Sequence, residues 1–126
     1  MAFLLQNMQD ARIFNILLFL NFKTMKNDLF LMYFHAYWDS AETSKRKFAE
    51  ACKEYNYPFT FVDCETKEGL DLSIKYGIKM CPRVGIFYKG KLMKIINGKY
   101  AANYIVSNTV LDGGKYRLIW KNEKNK

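Results

Sequence analysis

Residues 76–91 decide the fold, and they read Tyr-Gly-Ile-Lys-Met-Cys-Pro-Arg-Val-Gly-Ile-Phe-Tyr-Lys-Gly-Lys. The β-branched and aromatic residues at 84–88 predict a buried strand. Lys89 and Gly90 predict a hairpin turn, because glycine adopts positive φ without steric cost. Pro82 lies just before this strand. A cis bond before proline costs only about 0.5–1 kcal/mol, so the loop that leads into this strand is a position where a cis Cys81–Pro82 peptide is permitted.

A second apolar strand lies upstream, where residues 29–38 read Leu-Phe-Leu-Met-Tyr-Phe-His-Ala-Tyr-Trp. A helix is predicted from Thr43 to about Tyr55, because its apolar residues fall on one face. Asp39 and Glu42 precede it with the spacing of a capping box, in which side chains bind backbone N–H groups of the first turn, worth about 1 kcal/mol. Residues 59–64 predict a further strand, and residues 100–111 predict a terminal helix.

The order of these elements resembles the thioredoxin and protein disulfide isomerase families. Their members carry a cis-proline loop opposite a Cys-x-x-Cys motif, which opens a helix after a strand that ends in tryptophan. The resemblance covers residues 29–111 and implies an α/β thioredoxin-like fold. Its central mixed sheet has four to five strands flanked by helices, with the cis-Pro loop at Pro82. The family's spacing also implies extra loop residues near Thr66–Gly69.

The resemblance breaks at the sulfur pair, because Asp39 and Glu42 occupy the positions of the two cysteines. Thiol–disulfide exchange needs a thiolate nucleophile and a resolving thiol, and a carboxylate cannot attack sulfur. Tyr33 stands where many redox-active members keep a buried acid. We therefore predict no catalytic residue at these degenerate positions and no dithiol oxidoreductase activity.

Length and patterning predict one thioredoxin-like domain over residues 1–112 and a basic tail over 113–126. Residues 1–28 are open to two interpretations. They form a first strand and helix of the domain, which we favour, or a targeting segment with an apolar run at 13–22. Nothing basic precedes Arg12, which speaks against a signal peptide, and the run is too short for a membrane span.

Cysteine and histidine content argues against metals and cofactors. The chain has three cysteines and one histidine, His35, without the clustered spacing of a zinc site. We predict no metal, no cofactor and a reducing compartment such as the cytoplasm. Cys52 is predicted to pack in the core. Cys81 is interpreted as a small packed hydrophobe or as a single reactive thiol, and Cys64 fits either role.

The net charge of +8 belongs to the last third of the chain. Residues 1–82 are balanced, whereas only Asp112 and Glu123 offset the basic residues from Arg83 onward. Tyr116 and Trp120 lie in the predicted tail, where they either pack back on the domain or contact a partner. The basic last third is compatible with a solvated surface, with a contact to an acidic protein partner or with nucleic acid, and we rank the first two above nucleic acid.

We predict a redox-inactive thioredoxin-fold binding or scaffold module for a protein partner. Its groove residues are Trp38, Asp39, Ser40, Cys81, Pro82 and Arg83. One alternative is a single-thiol enzyme that uses Cys81. The other is an RNA-associated subunit, because Trp38-Asp39 resembles the spliceosomal thioredoxin-like family, although Cys81-Pro82-Arg83 does not. The sequence leaves the partner and the oligomeric state open.

Overall fold

The computed structural model of the protein describes residues 28–37 and 42–120. They form a mixed sheet with the strand order β2-β1-β3-β4, in which β1 pairs parallel with β2 and the other pairs are antiparallel. The strands are β1 Leu29–His35, β2 Phe59–Asp63, β3 Arg83–Tyr88 and β4 Lys91–Asn97. The predicted α/β fold with a central mixed sheet is confirmed. The elements predicted within 1–27 lie outside the described residues.

Within the described residues, three α-helices flank this sheet: α1 Glu42–Glu54, α2 Lys67–Lys75 and α3 Ala101–Ser107. A 3₁₀ turn at Gly98–Tyr100 leads into α3. Strand β1 is the centre of the fold, and its residues alternate between two apolar clusters because successive side chains of a strand point to opposite faces. Helices α1 and α3 cover one face, and residues of α2 pack on the other. Within the described ranges, no helix has the length and hydropathy to cross a membrane.

Aromatic side chains fill the core on the α1 face. Phe48 of α1 is fully buried, and its ring centroid lies 5.0 Å from that of Tyr33, 5.6 Å from Phe59 and 6.0 Å from Phe61. Tyr33 is also fully buried, so an aromatic ring occupies the position at which the family resemblance places a buried acid in many redox-active members. These edge and tilted ring contacts add to the stabilisation from burial.

The prediction of a terminal helix over 100–111 was wrong after residue 107. Helix α3 ends at Ser107, and a hairpin follows with β5 Thr109–Asp112 and β6 Lys115–Leu118. Gly113 and Gly114 form its turn, with φ of 62° and 80°. The predicted boundary between domain and tail therefore falls inside this turn.

Packing against the domain explains the hairpin. The hydroxyl of Tyr57 donates a 2.8 Å hydrogen bond to Thr109 Oγ1, which itself donates to the Ile105 carbonyl at 2.6 Å. Leu118 is only 3% exposed and joins the core. The β-branched residues at 109–110 favour a strand, and these contacts outweigh the helical pattern that continues from α3.

The loop insertion expected near Thr66–Gly69 was also wrong. Thr66 is the N-cap of α2, and its Oγ1 accepts a 2.9 Å hydrogen bond from the Gly69 N–H. The same hydroxyl donates to the Asp63 carbonyl at 2.8 Å. A Thr side chain that caps a first turn is a helix-start signal, so the residues assigned to a longer loop are the first turn of α2.

Alkaline pH is expected to destabilise the protein through Cys52. Burial raises the pKa of the Cys52 thiol above its ordinary value of about 8.5. As the pH rises past about 8.5, the Cys52 thiol loses its proton in the unfolded chain before it does so in the native state, so the native state binds more protons. The free energy of unfolding then falls by up to about 1.4 kcal/mol per pH unit.

Urea unfolding of the reduced protein between pH 7 and pH 10 measures this effect. Burial also raises the pKa of Tyr57 and Tyr76, whose contributions begin only near their ordinary pKa of about 10. A Cys52→Ala variant is expected to be less stable at pH 7, because it leaves a cavity, but to lose less stability between pH 8 and pH 10. An unchanged slope in that variant contradicts the assignment to Cys52.

Candidate functional site

One edge of the sheet gathers the residues that the sequence singled out. Strands β1 and β2 end there and β3 begins there, because His35 pairs with Asp63 and Phe34 pairs with Arg83. We call this edge the strand-end face and define it by six residues at or next to those strand ends, which are Tyr37, Cys64, Met80, Cys81, Pro82 and Arg83. Of the predicted groove residues, the structure brings Cys81, Pro82 and Arg83 to this edge.

The loop before β3 is tied to the domain by hydrogen bonds. The Cys81–Pro82 peptide bond is cis, which is the geometry expected from the sequence. The Pro82 carbonyl accepts a 3.0 Å hydrogen bond from the Gly98 N–H and a 2.9 Å bond from Arg83 Nη1. A Cβ atom at Gly98 would lie 2.7 Å from Pro82 Cβ, so only glycine fits there without a shift. The loop is therefore held in a fixed position.

Helix α1 begins at Glu42, whose side chain is 91% exposed. Its Oε2 atom lies 3.8 Å from Nζ of the half-buried Lys45 side chain in an ion pair. A carboxylate in the first turn is favoured by the positive end of the helix dipole. Trp38, Asp39 and Ser40 lie outside the described residues, so the capping box and their part in a groove stay predictions.

Two cysteines meet at the strand-end face. The Sγ atoms of Cys64 and Cys81 lie 3.5 Å apart, and both side chains are half-buried. The backbone N–H of Cys64 donates a 2.8 Å hydrogen bond to the His35 carbonyl, which fixes Cys64 at the end of β2. Cys52, in contrast, is fully buried in α1, as predicted. Cys81 is therefore neither a lone reactive thiol nor an isolated packed one.

Sequence reasoning missed this pair because Cys64 and Cys81 are far apart along the chain. A signal was nonetheless present. Cys64 directly follows the strand predicted at 59–64, and Cys81 directly precedes the strand predicted at 84–88. In the fold implied by the resemblance, both strands are neighbours of the strand at 29–35. Their facing ends therefore had to lie close together.

The sequence neighbours of the two cysteines interact with, or carry, charges of opposite sign. Arg83 Nη1 contacts the Pro82 carbonyl and Arg83 Nη2 lies 3.4 Å from Met80 Sδ, so the guanidinium contacts both sequence neighbours of Cys81. Cys64 lies between two acidic residues. The Asp63 carboxylate accepts a 2.9 Å hydrogen bond from the Glu65 N–H, and Glu65 Oε2 accepts one from the Tyr37 N–H at 3.4 Å.

The other residues that the sequence singled out lie apart from this face or have packing roles. His35 packs edge-on against Phe61, with ring centroids 6.1 Å apart. Trp120 contacts Tyr88, the last residue of β3, at a centroid distance of 5.6 Å, and Tyr116 contacts Tyr55 at 4.9 Å. The predicted tail contacts therefore pack back on the domain. In the part of the chain that the structure describes, no three metal-ligating side chains cluster.

The comparisons with known proteins agree with this architecture. No protein-family model and no curated protein matches the sequence. Among solved structures, thioredoxin f2 of Chlamydomonas reinhardtii is similar with a TM-score of 0.61 and 15% identity, over 71% of this chain and 83% of that one. A reduced thioredoxin of Schistosoma mansoni gives a TM-score of 0.59 and 25% identity, over 68% and 81%.

A third similar structure is a complex of ferredoxin:thioredoxin reductase with thioredoxin f2. Its TM-score is 0.61 at 18% identity, and the match covers 71% of this chain and 82% of that one. Each match covers more than four fifths of the solved chain and about two thirds of this one or more. These matches show that this chain has the thioredoxin-like fold.

Proposed function

We propose that this protein is a binding module that holds a segment of a protein partner against the strand-end face, without Cys-x-x-Cys chemistry. One observation carries the proposal. Tyr37 follows β1 and Met80 precedes β3, so both lie at the same end of the sheet, where their large side chains are 83% and 63% exposed. Large apolar residues exposed together at one site are typical of surfaces that a partner covers.

The charges at this face also favour a protein segment over RNA. The Glu65 carboxylate accepts a hydrogen bond from the Tyr37 N–H and the Arg83 guanidinium donates to the Pro82 carbonyl, so residues at this face carry both signs of charge. A polyanion would meet repulsion from the carboxylate, whereas a peptide offers groups of either charge and apolar side chains. A thioredoxin-fold chain binds a protein in one of the similar structures, the complex of thioredoxin f2 with its reductase.

The first test addresses the absence of Cys-x-x-Cys chemistry. The wild-type protein is expected not to accelerate insulin reduction by dithiothreitol above the rate without protein. The double variant Asp39→Cys/Glu42→Cys is expected to gain activity, because it places a thiol pair where the family resemblance puts one. Wild-type activity that disappears in a Cys81→Ser variant would contradict the proposal and assign reduction to the strand-end thiols.

The second test addresses the surface. Affinity purification from the native cells with the wild-type protein as bait should enrich a partner. In the double variant Tyr37→Ser/Met80→Ser this enrichment is expected to fall at least about tenfold, since two apolar side chains that a partner covers contribute roughly 1–2 kcal/mol each to binding. Leu111→Ser is the matched control, because Leu111 is 67% exposed but lies on the hairpin. Equal loss in the control would contradict a partner site at the strand-end face.

A further inference from the structure

We propose that Cys64 and Cys81 form a thiol–disulfide site that reacts with low-molecular-weight disulfides such as glutathione disulfide and closes into an intramolecular disulfide. The site differs from the family's sulfur pair, because neither cysteine lies at the start of α1. It joins the end of β2 to the loop before β3. The inference goes beyond the proposed binding role and stands on the geometry of the two side chains.

The distance between the thiols is the first support. Their sulfur atoms are in van der Waals contact at 3.5 Å, and a disulfide bond is about 2.05 Å long, so closure needs an approach of about 1.5 Å. Small side-chain rotations supply such a shift. The backbone is anchored on both sides, by the hydrogen bond from Cys64 N–H to His35 and by the bonds to the Pro82 carbonyl. The pair is thus held together before any reaction.

The flanking charges assign different roles to the two thiols. A thiolate is the attacking species, and a neighbouring cation favours it while neighbouring carboxylates disfavour it. The Arg83 guanidinium contacts Met80 and Pro82, the sequence neighbours of Cys81, whereas Asp63 and Glu65 are the sequence neighbours of Cys64. Cys81 is therefore the attacking thiol and Cys64 is the resolving thiol. Both are half-buried, so a small disulfide reaches Cys81 more readily than a folded protein does.

The reaction proceeds in two exchange steps. The Cys81 thiolate attacks one sulfur of glutathione disulfide, forms a mixed disulfide and releases one glutathione thiolate. Cys64 loses its proton to solvent and attacks the Cys81 sulfur, which forms the Cys64–Cys81 bond and releases the second glutathione thiolate. Two cysteine thiols are oxidised by two electrons, one disulfide is reduced, and both released thiolates take up protons.

The test uses the full chain, whose cysteines are first reduced and which is then separated from the reductant. Incubation with glutathione disulfide, acid quenching and intact-mass measurement should show the loss of two hydrogen atoms without a retained glutathionyl group. Peptide mapping without reduction should recover the segments around Cys64 and Cys81 as one linked species. Cys52 is the internal control, because its full burial should leave it unmodified in the folded protein.

Two single variants separate the roles. Cys64→Ser should stop at a stable mixed disulfide on Cys81, since the resolving thiol is gone. Cys81→Ser should take up glutathione on Cys64 at least about tenfold more slowly, because its thiol is flanked by carboxylates. Cys52→Ala is the matched control and should cross-link as the wild type does. Circular dichroism of each variant shows whether it is folded.

Three results would overturn the inference. The first is a wild-type protein that stops at glutathione adducts without a cross-link. The second is a cross-link that includes Cys52, and the third is a pair that stays reduced in glutathione disulfide although unfolding the protein in urea makes both thiols react. These outcomes need no variant, so the inference stays testable if a variant does not fold. None of them bears on partner binding by Tyr37 and Met80.

Discussion

Replacing Phe48 by alanine is expected to lower the free energy of unfolding by about 3–5 kcal/mol, as for other fully buried aromatic residues. The ring is inaccessible to solvent and contacts Tyr33, Phe59 and Phe61, so its removal leaves a cavity where α1 meets the sheet. A loss of this size is a large fraction of a domain's total stability. Urea unfolding at pH 7 measures it, and the variant is expected to be partly unfolded at 37 °C.

The matched control is Tyr100→Ala. Tyr100 is an aromatic residue of similar size but is 56% exposed, and it lies next to α3 rather than inside the core. Its loss is expected to cost less than about 1 kcal/mol. If the two variants lost equal stability, Phe48 would not be the centre of the core on the α1 face.

Gly69→Ala is expected to have the second large effect on stability, and the direction of the change distinguishes helix propensity from packing. Helix propensity alone predicts that alanine stabilises α2 by about 1 kcal/mol. The structure predicts the opposite, because a Cβ atom at Gly69 would overlap the Asp63 carbonyl and approach Thr66 Oγ1 to 3.0 Å. Overpacking costs about 1–3 kcal/mol, and a disrupted cap costs about 1 kcal/mol more.

The expected result is therefore a loss of about 2–4 kcal/mol in the free energy of unfolding. Asp71→Ala is the control, since Asp71 is exposed on the same helix and its replacement should change stability by less than about 0.5 kcal/mol. A Gly69→Ala protein that is as stable as the wild type would show that the first turn of α2 does not pack against the end of β2.

The sequence predicted β1, β2, β3 and α1 because their local patterns and their packing agree. The apolar residues of β1 and β3 fit buried strands, and the single proline in the loop before β3 located that loop. Helix α1 was predicted within one residue at each end. These elements need no information from distant parts of the chain.

The missed features depend on contacts between distant residues. Nothing between Ala101 and Leu111 breaks a helix, and the hairpin is explained by contacts to the domain such as the hydrogen bond from Tyr57 to Thr109 and the burial of Leu118. The contact between Cys64 and Cys81 likewise joins separate elements across the strand-end face. The start of α2 was misjudged from the spacing of the family, although Thr66 was present as a local capping signal.

The contact of Trp120 with Tyr88 has a spectroscopic consequence. The chain contains only one other tryptophan, Trp38, so a Trp38→Phe variant would leave a single indole fluorophore. That indole lies after β6 and packs against the last residue of β3 at a centroid distance of 5.6 Å. Its emission wavelength would therefore report when the C-terminal hairpin separates from the sheet, independently of the circular dichroism of the helices.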